Sequence, residues 1–129
     1  MSINTYEENR ILSASPIELV QILYAAATKA VQRARQFLRT GDIDSRSREI
    51  TKAQEILIEL AASVDSSKAP EFGERLLALY DYLQCRLAEA NVQQKDWPLA
   101  EVGNLLDTLQ EAWSQCSDIK QPELALAEL

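Results

Sequence analysis

The sequence predicts an all-α protein, an antiparallel up-and-down four-helix bundle, from three observations. Apolar residues recur at three- and four-residue steps in four long segments, which is the spacing of one helix face. The 129 residues include only three glycines and four prolines, and Leu, Ala and Ile dominate an apolar fraction of 47%. This composition favours helices over strands. The connections are about four to seven residues long, and helices joined by such links pack as antiparallel neighbours.

The first helix has the clearest boundaries. Ser15 is placed as an N-cap, Pro16 occupies the first helical position, and Glu18 stands where a capping box needs an acidic residue. Gly41 offers the left-handed conformation that ends helices. Between these signals the predicted core face consists of Val20, Leu23, Tyr24, Ala27, Val31, Ala34 and Leu38.

The second and fourth helices each carry one apolar face. The second is predicted to begin near Asp44 and to end at the polar run 65–68; its face consists of Ile50, Ala53, Ile56, Leu57, Leu60 and Val64, and Ile58 and Ala62 lie off it. The fourth follows Asp96, with Pro98 in its first turn. Its face consists of Leu99, Val102, Leu105, Leu106, Leu109, Ala112, Trp113 and Cys116.

The third helix, predicted from near Pro70 to a cap at Asn91, is apolar on more sides than one core face requires. At about 100° per residue, one stripe is sufficient to seat it on the core: Leu76, Leu79, Tyr80, Leu83, Leu87 and Ala90. A second stripe lies well round the helix and consists of Ala78, Tyr82, Cys85 and Val92. The helix is therefore either enclosed on most sides or presents an apolar strip to a partner.

The chain is most simply one domain with two flanking segments. Residues 15–117 form the predicted bundle. Residues 1–14 are polar with isolated apolar side chains, which suits a capping segment that lies against the bundle and detaches cheaply. Periodicity fades after Cys116, so we expect residues 118–129 to be a tail that can be partly mobile.

Composition narrows the classes of function. A formal charge of −7 argues against a protein that tracks phosphates and against binding to anionic membranes. The absence of histidine excludes Ser-His-Asp and Cys-His catalysis, and His-containing metal sites. The chain begins without the basic and apolar regions of a signal peptide, and no window is apolar enough to span a membrane. We therefore expect a cytoplasmic protein without catalysis, cofactor, metal, nucleic-acid binding or membrane insertion.

Cysteines and charges have plain structural interpretations. Cys85 and Cys116 form no Cys-x-x-Cys unit, and we expect small buried apolar residues, with a disulfide or a reactive thiol as the alternatives. Basic residues gather on the first helix, and acidic residues dominate the last: Lys29, Arg33, Arg35 and Arg39 against Asp96, Glu101, Asp107, Glu111 and Asp118. Attraction between adjacent helices explains this separation, and a role in orienting a partner is the alternative.

Several motifs, in order and at matching intervals over residues 6–116, resemble one known family. They are Ser13-Ala14-Ser15-Pro16-Ile17-Glu18-Leu19, Leu23-Tyr24, Gly41-Asp42, Leu79-Tyr80-Asp81-Tyr82, Arg86-Leu87, Ala90-Asn91, Glu101-Val102 and Glu111-Ala112-Trp113. The family is that of the flagellar secretion chaperones, FliS, cytoplasmic proteins that hold flagellin unpolymerised until export. One departure is clear, because Ala25-Ala26 stands where the family commonly has Asp-Gly.

The resemblance implies a four-helix bundle that binds the disordered C-terminal segment of flagellin, which folds into short helices along the bundle surface. It also implies that a tyrosine at the position of Tyr6 belongs to a cap over an apolar pocket, and that this cap rearranges on binding. A component of the flagellar export gate and an anti-sigma factor are further partners that the family suggests. Helix-in-groove recognition needs exposed apolar strips, which the second and third helices supply.

We expect client contacts from the N-terminal segment, from the second helix and from the second stripe with its polar neighbours: Tyr6, Leu12, Ile58, Ala62, Ala78, Tyr82, Cys85, Arg86 and Asn91. Tyr80 and Trp113 are expected to anchor the core, with an interface contact as the alternative for Trp113. Ile58 is a candidate for the wall opposite Tyr82. Three alternatives stay open: a chaperone or adaptor for another secretion client, a carboxylate-based enzyme or metal-binding bundle, and a structural or dimerising bundle.

Overall fold

A computed structural model describes residues 15–115, which form four helices and no strand. The helices are α1 Pro16–Thr40, α2 Ile43–Ala62, α3 Pro70–Gln93 and α4 Asp96–Gln115. Each helix packs on its neighbours in sequence, and α4 returns to pack on α1. The predicted four-helix bundle is therefore confirmed for the described residues. Residues 1–14 and the predicted tail 118–129 lie outside them.

The helix boundaries follow from local capping. The Glu18 N–H donates to Ser15 Oγ over 3.2 Å, and Gly41 ends α1 in the left-handed conformation at φ 76°. Asp42 accepts from the Ser45 N–H over 3.1 Å, so α2 begins at Ile43, one residue before the predicted start. The third helix runs two residues beyond Asn91, and its left-handed cap is Gln94 at φ 57°.

The core consists of the predicted stripes. Each helix contributes buried apolar residues to one cluster, among them Val31, Leu57, Leu83 and Leu106. Trp113 packs against this cluster, as expected. Cys85, by contrast, is exposed, because it stands two residues after buried Leu83 and so points away from the core. The expectation of a buried Cys85 is therefore wrong. Cys116 lies outside the described residues.

A hydrogen bond between two tyrosine hydroxyls crosses the core. Tyr24 on α1 and Tyr80 on α3 are fully or almost fully buried, and their hydroxyl oxygens lie 2.6 Å apart. Burial raises the pKa of both hydroxyls above the ordinary tyrosine value and keeps them neutral. The Trp113 indole N–H is buried beside Tyr24 but has no partner of hydrogen-bond geometry within residues 15–115.

An ion pair joins the basic and acidic helices. Arg35 on α1 donates from Nε and from a terminal nitrogen to the two carboxylate oxygens of Asp96, over 2.8 Å each. These bonds lower the pKa of the Asp96 carboxyl below its ordinary value. The expected attraction between the first and last helices is confirmed at this pair, which ties the start of α4 to α1.

The structure predicts opposite effects for two Gly→Ala variants. A Cβ on Gly73 would overlap Ser66 Oγ and lie 3.1 Å from Ser66 Cα, so G73A must displace the loop between α2 and α3. A Cβ on Gly103 would meet only Val31 Cγ1, at 3.7 Å. We expect G73A to lower the free energy of unfolding by about 1–3 kcal/mol and G103A to raise it by about 0.5–1 kcal/mol. Urea unfolding checks both, and equal effects would contradict the packing of Gly73.

The tyrosine pair predicts non-additive stability. Y24F and Y80F each leave one buried hydroxyl unpaired, and each should cost about 1–3 kcal/mol. The double variant should cost clearly less than the sum, because both polar groups are then absent. Urea unfolding of the four proteins gives the coupling; additive losses would show that the two hydroxyls do not stabilise each other.

Candidate functional site

The predicted site residues within the described part of the chain are spread over α2 and α3. Exposed side chains belong to Ile58, Ala62, Ala78, Tyr82 and Cys85, and half-buried ones to Arg86 and Asn91. Tyr6 and Leu12 lie outside the described residues. Ile58 is 60% exposed, so most of its apolar side chain faces solvent. The surface therefore has apolar side chains that the core does not use.

One flank of α3 is closed by a polar cluster with α4. The Tyr82 hydroxyl donates to Glu101 Oε1 over 2.7 Å, and Arg86 Nε donates to the Tyr82 hydroxyl over 3.1 Å. Arg86 also pairs with Glu101 at 3.2 Å and with Glu89 on its own helix. The Tyr82 hydroxyl is thus held at both of its hydrogen-bonding positions.

Two aromatic rings contact the Arg86 guanidinium in this cluster. Its central carbon lies 5.0 Å from the centre of the Tyr82 ring and 5.5 Å from the centre of the Trp97 ring. Trp97 is 48% exposed and was not predicted as a site residue. The sequence feature that could have identified Trp97 is its position in the first turn of α4, off the core stripe that contains Leu99 and Val102.

The other flank of α3 is fixed against α2 by two side-chain bonds. Ser47 Oγ donates to Asn91 Oδ1 over 2.9 Å, and Gln84 Nε2 donates to the Gln54 carbonyl over 2.8 Å. The two contacts are seven residues apart on each helix, which sets an antiparallel register. Asn91, predicted as a cap, therefore connects α3 to α2.

Arg46 reinforces the same junction. It is the one charged side chain buried within residues 15–115, and its guanidinium donates to the Asn91 carbonyl and side chain and to Gln94, over 3.3–3.4 Å. A cation at the C-terminal end of a helix stabilises the helix dipole. Asn91 and its neighbours therefore stabilise the end of the bundle at which α2 begins and α3 ends, which we call the closed end.

The register places an apolar strip along the outside of the α2–α3 seam. Continuing from Gln54 and Gln84, Ile58 comes level with Tyr80, beside Asp81, and Ala62 comes level with Leu76, beside Leu77. We call Ile58, Ala62 and Leu77 the α2–α3 strip. Leu77 is 38% exposed and was missed by sequence reasoning, although it directly follows core residue Leu76 and so points away from the core centre.

Ile58 and Tyr82 do not face each other across a single groove. Tyr82 contacts α4 through Glu101, whereas Ile58 lies one turn after Gln54 on the α2 side. The structure therefore places the predicted residues along the two flanks of α3. Ala78 and Cys85 lie on the outer face between the flanks.

A cavity of about 210 Å³ opens at the end of the bundle where α1 begins and α4 ends. Its apolar lining includes Val20, Val64, Phe72, Leu76 and Trp113, and Tyr80 also borders it. Polar side chains of the α2–α3 loop, Asp65 and Lys68, stand at its edge. Sequence reasoning did not locate this cavity, because its lining comes from three helices, α1, α3 and α4, and from the α2–α3 loop.

Within residues 15–115 no group of three His, Cys, Asp or Glu side chains is arranged to hold a metal ion. None of the described helices has the length and hydropathy to cross a membrane. The features of this surface are apolar strips, a cavity and side-chain hydrogen bonds that join helices.

Comparison with known proteins decides the family. A family model described as flagellar protein FliS matches residues 1–120. A relative from Salmonella typhimurium, named flagellar secretion chaperone FliS, is 38% identical over 111 residues, which is 85% of this chain and 82% of the relative. Relatives of the same name from Bacillus subtilis and Campylobacter jejuni are 31% identical over 110 residues and 30% identical over 115 residues. These two cover 85% and 89% of this chain, and 81% and 90% of their own lengths.

The chain belongs to the FliS family. As a FliS protein it is a flagellar secretion chaperone. The motif Leu79-Tyr80-Asp81-Tyr82 now has a structural explanation: Tyr80 enters the core, Asp81 lies exposed on the α2 side, and Tyr82 bonds to α4. The Ala25-Ala26 departure lies on α1, on the opposite side of the bundle from α3.

The Arg86 cluster predicts the environment of Trp97. R86A removes the guanidinium that contacts the rings of Tyr82 and Trp97, so Trp97 should become more accessible to acrylamide quenching. R86K should not restore the wild-type value, because an ammonium lacks the planar face. W97F supplies the control that separates Trp97 emission from that of Trp113. Unchanged quenching in R86A would show that Arg86 does not cover the indole.

Proposed function

We propose that this FliS protein binds the disordered C-terminal segment of flagellin along the two flanks of α3, keeps it from polymerising in the cytoplasm and delivers it for export. The observation that carries the proposal is apolar surface beyond the needs of the core: Ile58 at 60%, Leu77 at 38% and Tyr82 at 38% exposed. These side chains flank one helix, and exposed apolar strips with polar borders suit helix-in-groove recognition.

Such binding needs no covalent chemistry. A client segment that folds on the chaperone pays the cost of ordering, on the order of several kcal/mol, and this favours a long distributed contact. The proposed contact runs from the α2–α3 strip across the outer face at Ala78 and Cys85 to Tyr82 and Arg86. A segment held in this way is unavailable for packing against another flagellin.

The same proposal assigns an occupant to the cavity at the open end of the bundle, where α1 begins and α4 ends. Val20 lines it only five residues after Ser15, the first residue that the structure describes. We propose that apolar side chains of the segment 1–14, Tyr6 and Leu12 among them, cover the cavity in the free chaperone and leave when the client binds. Exchange of one cover for another would keep the cavity from facing water.

Binding of the client along the flanks of α3 predicts that I58E loses binding to flagellin while the stability of the fold is retained. A carboxylate in the α2–α3 strip must lose its hydration when an apolar client helix covers it, so co-purification with full-length flagellin should fall at least tenfold. Thermal unfolding should change little because Ile58 is exposed. The measurement is a pull-down with purified flagellin, alongside flagellin truncated at its C-terminal segment.

Gln32→Glu is the matched control, an added carboxylate on exposed α1 surface away from α3. It should bind like wild type. Retained binding by I58E would contradict the proposed surface. Equal capture of the truncated flagellin would instead favour a chaperone for a different segment or client.

A further inference from the structure

The α2–α3 strip is a short apolar track with a defined length. Ile58 and Ala62 are one turn apart on α2, about 6 Å along its axis, and Leu77 of α3 lies beside Ala62 in the register fixed by Ser47–Asn91 and Gln54–Gln84. Ala62 is followed along the chain by Ser63 and Val64, which line the cavity. The strip therefore ends next to residues of the cavity lining.

Carboxylates border this strip on both sides. Glu55 lies on the α2 edge, and Glu74 and Asp81 lie on the α3 edge; all three are exposed. Among residues 15–115 no cation lies within ion-pairing distance of them, whereas Glu89, Asp96 and Glu101 are paired. Lys52, the nearest cation before Glu55 on α2, is turned farther from α3 by its place on the helix.

We infer that the α2–α3 strip binds an amphipathic helix whose apolar stripe is bordered by lysine or arginine. Leu or Ile side chains of that helix would cover Ile58 and Leu77, while basic residues on its two edges pair with Glu55 on one side and with Glu74 and Asp81 on the other. This inference rests on the proposed function and adds the chemistry of the client segment that takes this flank. Complementary charge centres the bound helix over the strip, and the apolar stripe supplies most of its affinity.

Two synthetic 18-residue peptides test the chemistry directly. Both carry the same Leu/Ile stripe at helical spacing; one has lysine and the other glutamate at the bordering positions. Titration of the full chain, followed by calorimetry in dilute buffer, should show at least tenfold tighter binding of the lysine peptide, because three exposed ion pairs act together. Addition of about 0.5 M salt should reduce the preference, since salt screens exposed charges.

A pair of triple variants separates this site from the overall negative charge. E55Q/E74Q/D81N removes the carboxylates that border the strip. E18Q/D107N/E111Q removes the same number from exposed positions on α1 and α4, on the opposite side of the bundle. We expect the first triple to bring the two peptides to within about twofold of each other and the second to keep at least half of the wild-type preference. I58E should lose both peptides.

Equal losses of preference in the two triples would overturn the inference, as would the absence of a preference in the wild type or undiminished binding by I58E. Titration of the C-terminal segment of flagellin into the same proteins distinguishes a failure of the proposed function from a failure of the basic-bordered client. If the wild type fails to bind it, the proposed function fails. If the wild type binds it and the strip triple binds it equally well, the proposed function stands and the basic-bordered client is wrong.

Discussion

The α2–α3 register determines what the rest of the surface can do. Ser47 bonds to Asn91 and Gln84 to Gln54, seven residues apart on each helix, and the buried Arg46 holds the same junction. These bonds fix the rotation of α3 about its own axis and its position along α2, so its core stripe must face inward. Tyr82 then reaches α4, and Leu77 and Asp81 lie beside Ile58. The exposed strip is thus a consequence of a seam built from uncharged hydrogen bonds and one cation, so it does not depend on salt-sensitive ion pairs.

Buried polar groups give this otherwise apolar core a defined arrangement. The hydrogen bond between Tyr24 and Tyr80 joins helices that lie diagonally across the bundle, and Tyr80 also borders the cavity. A pair of buried hydroxyls is satisfied only in a narrow range of helix positions, which favours one packing over others. Tyr80 therefore connects the packing of the core with the shape of the cavity. At this end of the bundle, where α1 begins and α4 ends, the absence of a side chain on Gly73 allows Ser66 of the α2–α3 loop to lie close to α3.

Sequence reasoning recovered most of the fold because its signals are local. Ser15 and Gly41 mark α1 through capping chemistry, and the three- and four-residue spacing identified the core stripes of all four helices. It placed α3 two residues short, since the left-handed cap falls on Gln94 and Asn91 is used between helices. The site was harder to predict. That Tyr82 and Ile58 lie on opposite flanks, that Leu77 and Trp97 are exposed, and that a cavity exists depend on how helices are rotated against each other, which single-helix periodicity does not contain.

In the proposed complex the client lies along α3, and the α2–α3 strip is one of the surfaces that it covers. Amide NMR spectra of the ¹⁵N-labelled chain, with and without the C-terminal segment of flagellin, test this claim residue by residue. We expect the largest shift changes around Ile58, Leu77 and Asp81, extending to the residues that line the cavity. Changes confined to the outer surface of α1 and α4, with the α2–α3 strip unaffected, would contradict it.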